Sequence, residues 1–305
     1  MPRTARPARR SRLFRFTAAF AVLVALGGYL AMQYVSGSAN PPRCVVRASD
    51  GPDGASHTYE MSLAQAVNAA TISAVGTARG MPERAVTIAL ATALQESGLR
   101  NIDYGDRDSL GLFQQRPSQD WGAPEQIMDP VYSAGAFYDQ LAEVPGYSRL
   151  PLTVAAQQVQ RSGFPQAYAK HEPDAALLAA ALTGREPASV NCVPSTATAT
   201  GPGDAERVRA ELVRAFGKEV LPAAKAAGAS SSATVSVPVP AADRADAGQR
   251  RGWELAHWAV AQSEALRIER VSYADRVWEA ASGWRTERAK GTEPDTAAVA
   301  IRVAQ

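Results

Sequence analysis

Between Arg15 and Arg43 the chain carries no charged residue, and Phe16 to Val35, FTAAFAVLVALGGYLAMQYV, is almost wholly apolar. A helix of about twenty such residues rises roughly 30 Å, the thickness of a bilayer's hydrocarbon core. Arg3, Arg6, Arg9, Arg10, Arg12 and Arg15 precede it, with no acidic residue among them. That bias keeps residues 1–15 in the cytoplasm and sends the chain beyond the apolar run outward. Gly37 and Ala39 offer small residues before a signal-peptidase cut, but the run is long for a cleavable signal. We therefore expect a single-pass signal anchor over 16–35, with everything beyond about residue 40 extracytoplasmic; cleavage would instead make the protein secreted.

Export gives meaning to the two cysteines, Cys44 and Cys192, the only ones in the sequence. In an oxidising compartment they are expected to pair. The bridge would close a loop of about 148 residues and, in the chain-entropy model, stabilise the fold by about 5 kcal/mol. The cysteines bracket a compositionally coherent segment, which sets the domain 44–192. The net charge of +2, with both signs interspersed, lacks the electrostatic footprint of a nucleic-acid binder.

Inside the bracket the apolar periodicity is helical. Ser62 and Gln65 fit a capping box ahead of Leu63, Ala66, Val67, Ala70 and Val75, with Gly80 as a stop. Pro82 opens a second helix, PERAVTIALATALQES, that ends at Gly98. Further helices are expected over about 129–141, 152–159 and 174–182, with no alternating strand in this half. Residues 193–247 read as linker with a short helix over about 204–220, because the Ser/Ala/Thr/Pro tracts cannot bury enough apolar area to offset ordering entropy. A small α+β domain closes the chain over 248–305, with a helix from about Gly252 to Leu266 and strands at IERVSYA and AAVAIRVA. Trp253, Trp258, Trp278 and Trp284 fall in that piece, where so small a domain needs large aromatics for its core more than for stacking on sugars.

One carboxylate stands out. The second helix presents Val86, Ala89, Leu90, Ala93 and Leu94 on one face, so Glu96 occupies a half-buried last turn. Partial desolvation raises a carboxyl pKa and keeps the acid protonated, as a general acid requires. The loop RNIDYGDRDSLGLFQQRP comes next, with Gly105 and Gly111 for tight turns, Leu112 and Phe113 as an apolar anchor, and the amides of Gln114 and Gln115 beside it. Such a lining suits a polar, uncharged ligand such as a sugar. Asp103, Asp106, Asp108 and Asp120 are candidate second carboxylates, although turn formation is the commoner use of aspartate in such a loop.

This pattern resembles the catalytic core of the soluble lytic transglycosylases, a branch of the lysozyme-like superfamily. That family has a Glu-Ser pair ending a helix, then Gly-Leu-Met-Gln, then Pro. Here Glu96-Ser97 is followed by Gly111-Leu112-Phe113-Gln114, with Gln114 eighteen residues after Glu96, and then Pro117. DPVYSAGAFYDQL is similar to the family's Asp-Pro-led helix, and the likeness covers roughly residues 60–185. The resemblance implies a mainly α lysozyme-like domain. Glu96 would be its catalytic residue, with Ser109, Gly111, Phe113, Gln114, Gln115 and Gln160 contacting substrate and no cofactor or metal. The implied reaction cleaves the β-1,4 bond between N-acetylmuramic acid and N-acetylglucosamine in peptidoglycan glycan strands, the muramyl 6-hydroxyl closing an anhydro ring.

Two positions depart from the family. Gly105 stands where a Ser is usual, nine residues after the glutamate. The family's active-site Tyr belongs near AAQQVQRSGFPQAY, which offers no Tyr before Tyr168. These departures favour an alternative, a degenerate module that binds peptidoglycan or scaffolds wall machinery. His57, His171 and His257 lack zinc-ligand spacing. The last segment looks like a short C-terminal module found after cell-wall hydrolases of Gram-positive bacteria.

Overall fold

The computed structural model describes residues 20, 22–29, 42–48, 57–164, 166–195, 201–221, 233–241, 245–287 and 295–305. The chain divides into two compact units, Met1–Pro41 and Pro42–Gln305. In the first, residues 22–29 are helical, and most of the expected anchor over 16–35 lies outside the described residues. Among the described residues no helix is long and apolar enough to cross a membrane.

The second unit begins with helices where periodicity and capping place them. Helix α1 (Leu63–Ala78) starts at Ser62, whose hydroxyl accepts from Gln65 N–H while the Gln65 amide oxygen accepts from Ser62 N–H. Helix α2 (Glu83–Ser97) starts after Pro82 and stops at Gly98, in the left-handed conformation at φ 63°. Helices α3 (Pro124–Ile127), α4 (Pro130–Ala142), α5 (Leu152–Gln160) and α6 (Glu172–Leu182) come after it. Asp129 caps α4 through Val131 N–H at 2.8 Å. Helix α2 packs against α1, α4, α5 and α6, which is why its residues from Ala85 to Leu94 are buried without a break.

Three short strands also occupy this half, against the expectation of none. Strands β1 (Arg43–Arg47), β2 (Thr58–Met61) and β3 (Val190–Val193) form an antiparallel sheet in the order β2-β1-β3. They are four or five residues long, and in β1 only Cys44 and Val46 face the core, too short a run to show a period of two. Cys44 lies opposite Cys192 in the β1–β3 register, and the two form the disulfide.

Beyond the bridge, helix α7 (Ala205–Phe216) forms where expected, but the low-complexity stretch is not all linker. Thr234–Pro238 is strand β4, whose buried Val235 and Val237 alternate with exposed Ser236 and Pro238. Its partner, β8 (Asp295–Val303), lies far along the chain, so the strand gains its burial from a contact that local composition does not reveal. Helix α8 (Ala245–Ala261) begins earlier than expected and covers a five-stranded antiparallel sheet, β4-β8-β5-β6-β7. Its other strands are β5 (Ile268–Ala274), β6 (Arg276–Glu279) and β7 (Gly283–Thr286).

The helical half and this α+β piece share one core. Trp253, Trp258 and Trp278 are buried, as the core reading of the tryptophans expects. The indole N–H of Trp278 donates to Asn191 Oδ1 at 3.0 Å, and that of Trp284 to the Val190 carbonyl at 2.7 Å. Gly283, at φ 75°, lets β7 approach so closely that a Cβ there would lie 2.7 Å from Asn191 Oδ1. Helix α8 also meets α1, where the buried Glu254 carboxylate accepts from the Thr77 hydroxyl.

Candidate functional site

Glu96 is held at the end of α2 by contacts that fix the helix terminus. The side-chain amides of Gln65 and Asn68 on α1 donate to the Gly98 and Leu99 carbonyls at 2.7 and 2.8 Å. The adjoining Ser97 hydroxyl donates to the Leu112 carbonyl at 2.8 Å and accepts from Arg100 N–H at 3.2 Å. The Glu-Ser pair is thus divided in purpose: Ser97 ties the helix end to the Gly-Leu-Phe-Gln loop, and Glu96 is left facing a groove of about 800 Å³.

The loop is a frame. Gly111, at φ 74°, donates its N–H to the Ile102 carbonyl at 2.7 Å, and a Cβ there would lie 2.8 Å from the Ile127 carbonyl. Leu112 and Phe113 are fully buried, the Phe113 ring stacked on Phe137 with centroids 4.7 Å apart. Gln115 is buried and donates to the Ser133 carbonyl at 3.1 Å. Of the residues expected to contact substrate, Gly111, Phe113 and Gln115 therefore shape the wall from behind without lining the groove. Their backbone and apolar surface are consumed by the turn and the core. Ser109, Gln114 and Gln160 do line it, with Glu96.

Gln160, the last residue of α5, donates its amide to the Phe113 carbonyl at 2.7 Å, which joins the two walls. Gln114 lies across Gly105: a Cβ at 105 would fall 1.9 Å from Gln114 Oε1 and 2.8 Å from the Ser109 carbonyl. The glycine departure has a local cause, because the Gln114 amide fills the space a side chain at 105 would need.

The segment of the second departure does bring a tyrosine to Glu96, namely Tyr168. This fully buried residue donates its hydroxyl to Glu96 Oε1 at 2.6 Å. Sequence spacing passed over it because it comes after an irregular turn beyond α5. Its only local signal is that it is the first tyrosine after that helix.

Burial pushes the Glu96 carboxyl above its ordinary range, while hydrogen bonds from Tyr168 and from Gln160 pull it part of the way back. Burial, together with the bond to Glu96, drives the Tyr168 phenol well above its usual value, so it stays protonated as the donor. With Oε1 accepting that bond, the proton of the neutral acid belongs on Oε2.

The aspartates have separate fates. Asp108 accepts from Arg116 at 2.8 Å and from Ser118 N–H at 2.9 Å, contacts that hold its carboxyl far below the usual range. Asp103 does not line the groove; Asp106 and Asp120 do, Asp120 with its backbone left-handed at φ 61° as the end of a 3₁₀ turn. Asp139, unremarked in the sequence, also lines it and is paired with Arg79. Trp121, Tyr132, Arg161 and Phe164 are among the other residues that line the groove. Among the described residues no three His, Cys, Asp or Glu side chains cluster to hold a metal ion. Neither protein-family models nor curated proteins provide a match to this chain.

Proposed function

We propose that the chain is a membrane-anchored enzyme that cuts peptidoglycan glycan strands, a lytic transglycosylase built on a lysozyme-like helical domain. The observation that carries this reading is the Glu96 carboxyl, half dry at a helix end, facing a polar groove and held by Tyr168 at 2.6 Å. A carboxyl raised by burial while it lines a groove is what a general acid needs, which favours the enzyme over a module that only binds glycan. The exported location is supported by the disulfide.

In this mechanism Glu96 Oε2 gives its proton to the oxygen bridging N-acetylmuramic acid and N-acetylglucosamine. The muramyl C1–O bond breaks, the electron pair leaves with the N-acetylglucosamine oxygen, and positive charge develops at C1. The Glu96 carboxylate then takes the proton of the muramyl 6-hydroxyl as that oxygen bonds to C1, closing a 1,6-anhydro ring without consuming water. Asp108 is committed to Arg116 and Ser118 and lies outside the groove lining, whereas Asp106 and Asp120 line it; ring closure is therefore proposed on the resemblance, and the chemical form of the released ends distinguishes it from hydrolysis. The test is digestion of purified peptidoglycan by the full chain and by Glu96→Gln. Released muropeptides from the wild type alone support the proposal; binding without release by either protein contradicts it.

A further inference from the structure

Gln160 and Arg161 are consecutive on the groove wall but are committed differently. Gln160 is tied to Phe113 and reaches Glu96. Arg161 caps α5 just past its last residue with a left-handed backbone, φ 49°, its own N–H donating to the Gln157 carbonyl at 2.9 Å. Its side chain lines the same groove, exposed. The other arginines there have acidic neighbours: Arg116 is bonded to Asp108 at 2.8 Å, and Arg107 lies 4.0 Å from Asp106. Asp139 is taken by Arg79. Among the described residues Arg161 forms no ion pair, so a guanidinium that is always charged is left open one residue from a contact of the catalytic carboxyl.

Resting on the glycan-cleaving reading above, we propose that Arg161 seats a carboxylate borne by the 3-O substituent of the muramyl sugar, so that acid-bearing strands are selected over neutral ones. The planar fork of arginine matches a carboxylate with two parallel N–H donors. The rest of the groove's amides and hydroxyls serve the sugar ring, which is uncharged. The carboxylate belongs either to the lactyl ether itself or to a peptide attached to it, and both present the same group.

The test uses the full chain in detergent, carrying Glu96→Gln so that binding is read without cleavage. Three muramyl oligosaccharides are titrated by calorimetry: one with a free lactyl acid, one with that acid as its neutral amide, and one bearing a stem peptide. The expected result is about tenfold tighter binding of an acid-bearing strand than of the amide. The tighter of the two acid-bearing strands identifies the source of the carboxylate. Adding Arg161→Asn, which tolerates the left-handed backbone, removes the preference, and Arg161→Lys keeps part of it. Equal binding of all three strands, binding of none, or a preference that survives Arg161→Asn overturns the proposal. Cleavage by the chain without the Glu96 substitution is assayed separately, so failure of the enzymatic reading and failure of the Arg161 seat are read from different results.

Discussion

The Tyr168 hydroxyl donates to Glu96 Oε1 at 2.6 Å, across a separation of 72 residues. That bond favours the carboxylate and opposes the burial that raises the Glu96 pKa. Removing it with Tyr168→Phe leaves the ring in place and lets the carboxyl rise further. A general acid works while protonated, so the alkaline limb of the pH–rate profile moves to higher pH. The rate at the optimum falls on the order of tenfold, because the proton is no longer assigned to one oxygen. A profile whose alkaline limb stays fixed or moves to lower pH would contradict this account of Tyr168.

Gly105 and Gln114 compete for one space, the hypothetical Cβ lying 1.9 Å from Gln114 Oε1. Restoring the serine usual in the resembled family should therefore harm this chain. Gly105→Ser is expected to displace the Gln114 amide from the groove and lower kcat/KM at least about tenfold. Turnover equal to or better than wild type would show that Gln114 does not depend on the missing side chain.

The two halves share a core through Trp278, which is buried and bonded to Asn191. Trp278→Ala should cost about 3–5 kcal/mol from the cavity and lost transfer energy. Because β3 and β6 meet there, the loss should appear as one transition that removes helix and sheet signals together. Two separate denaturant transitions, with the helical one unshifted, would mean that the halves fold independently.

His257, on α8, is fully buried with Nδ1 2.7 Å from the Ala181 carbonyl and Nε2 3.2 Å from Ser189 N. A neutral ring satisfies both as donor and acceptor, whereas the charged ring would set a second N–H against that of Ser189. Burial pushes its pKa down from 6.5 to about 4. Between those values the unfolded chain binds the extra proton and the folded chain does not, so stability falls as pH drops through the window and is flat above it. The full effect is about 3 kcal/mol. Tm measured from pH 7 to pH 4 should decline, and the decline should be shallower in His257→Gln; equal slopes would remove His257 as its cause.

How far the fold is legible in the chain alone depends on the range of the interactions. Helices α1 and α2 announce themselves because Ser62, Gln65, Pro82 and Gly98 act within one turn of the ends they set. Strand β4 does not, since Val235 and Val237 are buried only by pairing with β8 some sixty residues later. The site divides in the same way. Glu96 is visible as a carboxylate ending an apolar face, and Gln160 sits on a periodic helix. Tyr168 reaches the site through an irregular turn that has no period, and Phe113 and Gln115 show their burial only once α4 packs against the loop.

We propose Glu96 as the proton donor that opens the muramyl–glucosaminyl bond. Mass spectrometry of the strands released from peptidoglycan by the full chain tests it most directly. The wild type is expected to leave 1,6-anhydromuramyl ends. With Glu96→Gln, release should fall by about 10²–10⁴-fold with an unchanged Tm. Reducing ends in place of anhydro ends would contradict the ring-closing reaction, and release undiminished in Glu96→Gln would contradict the role of Glu96 itself.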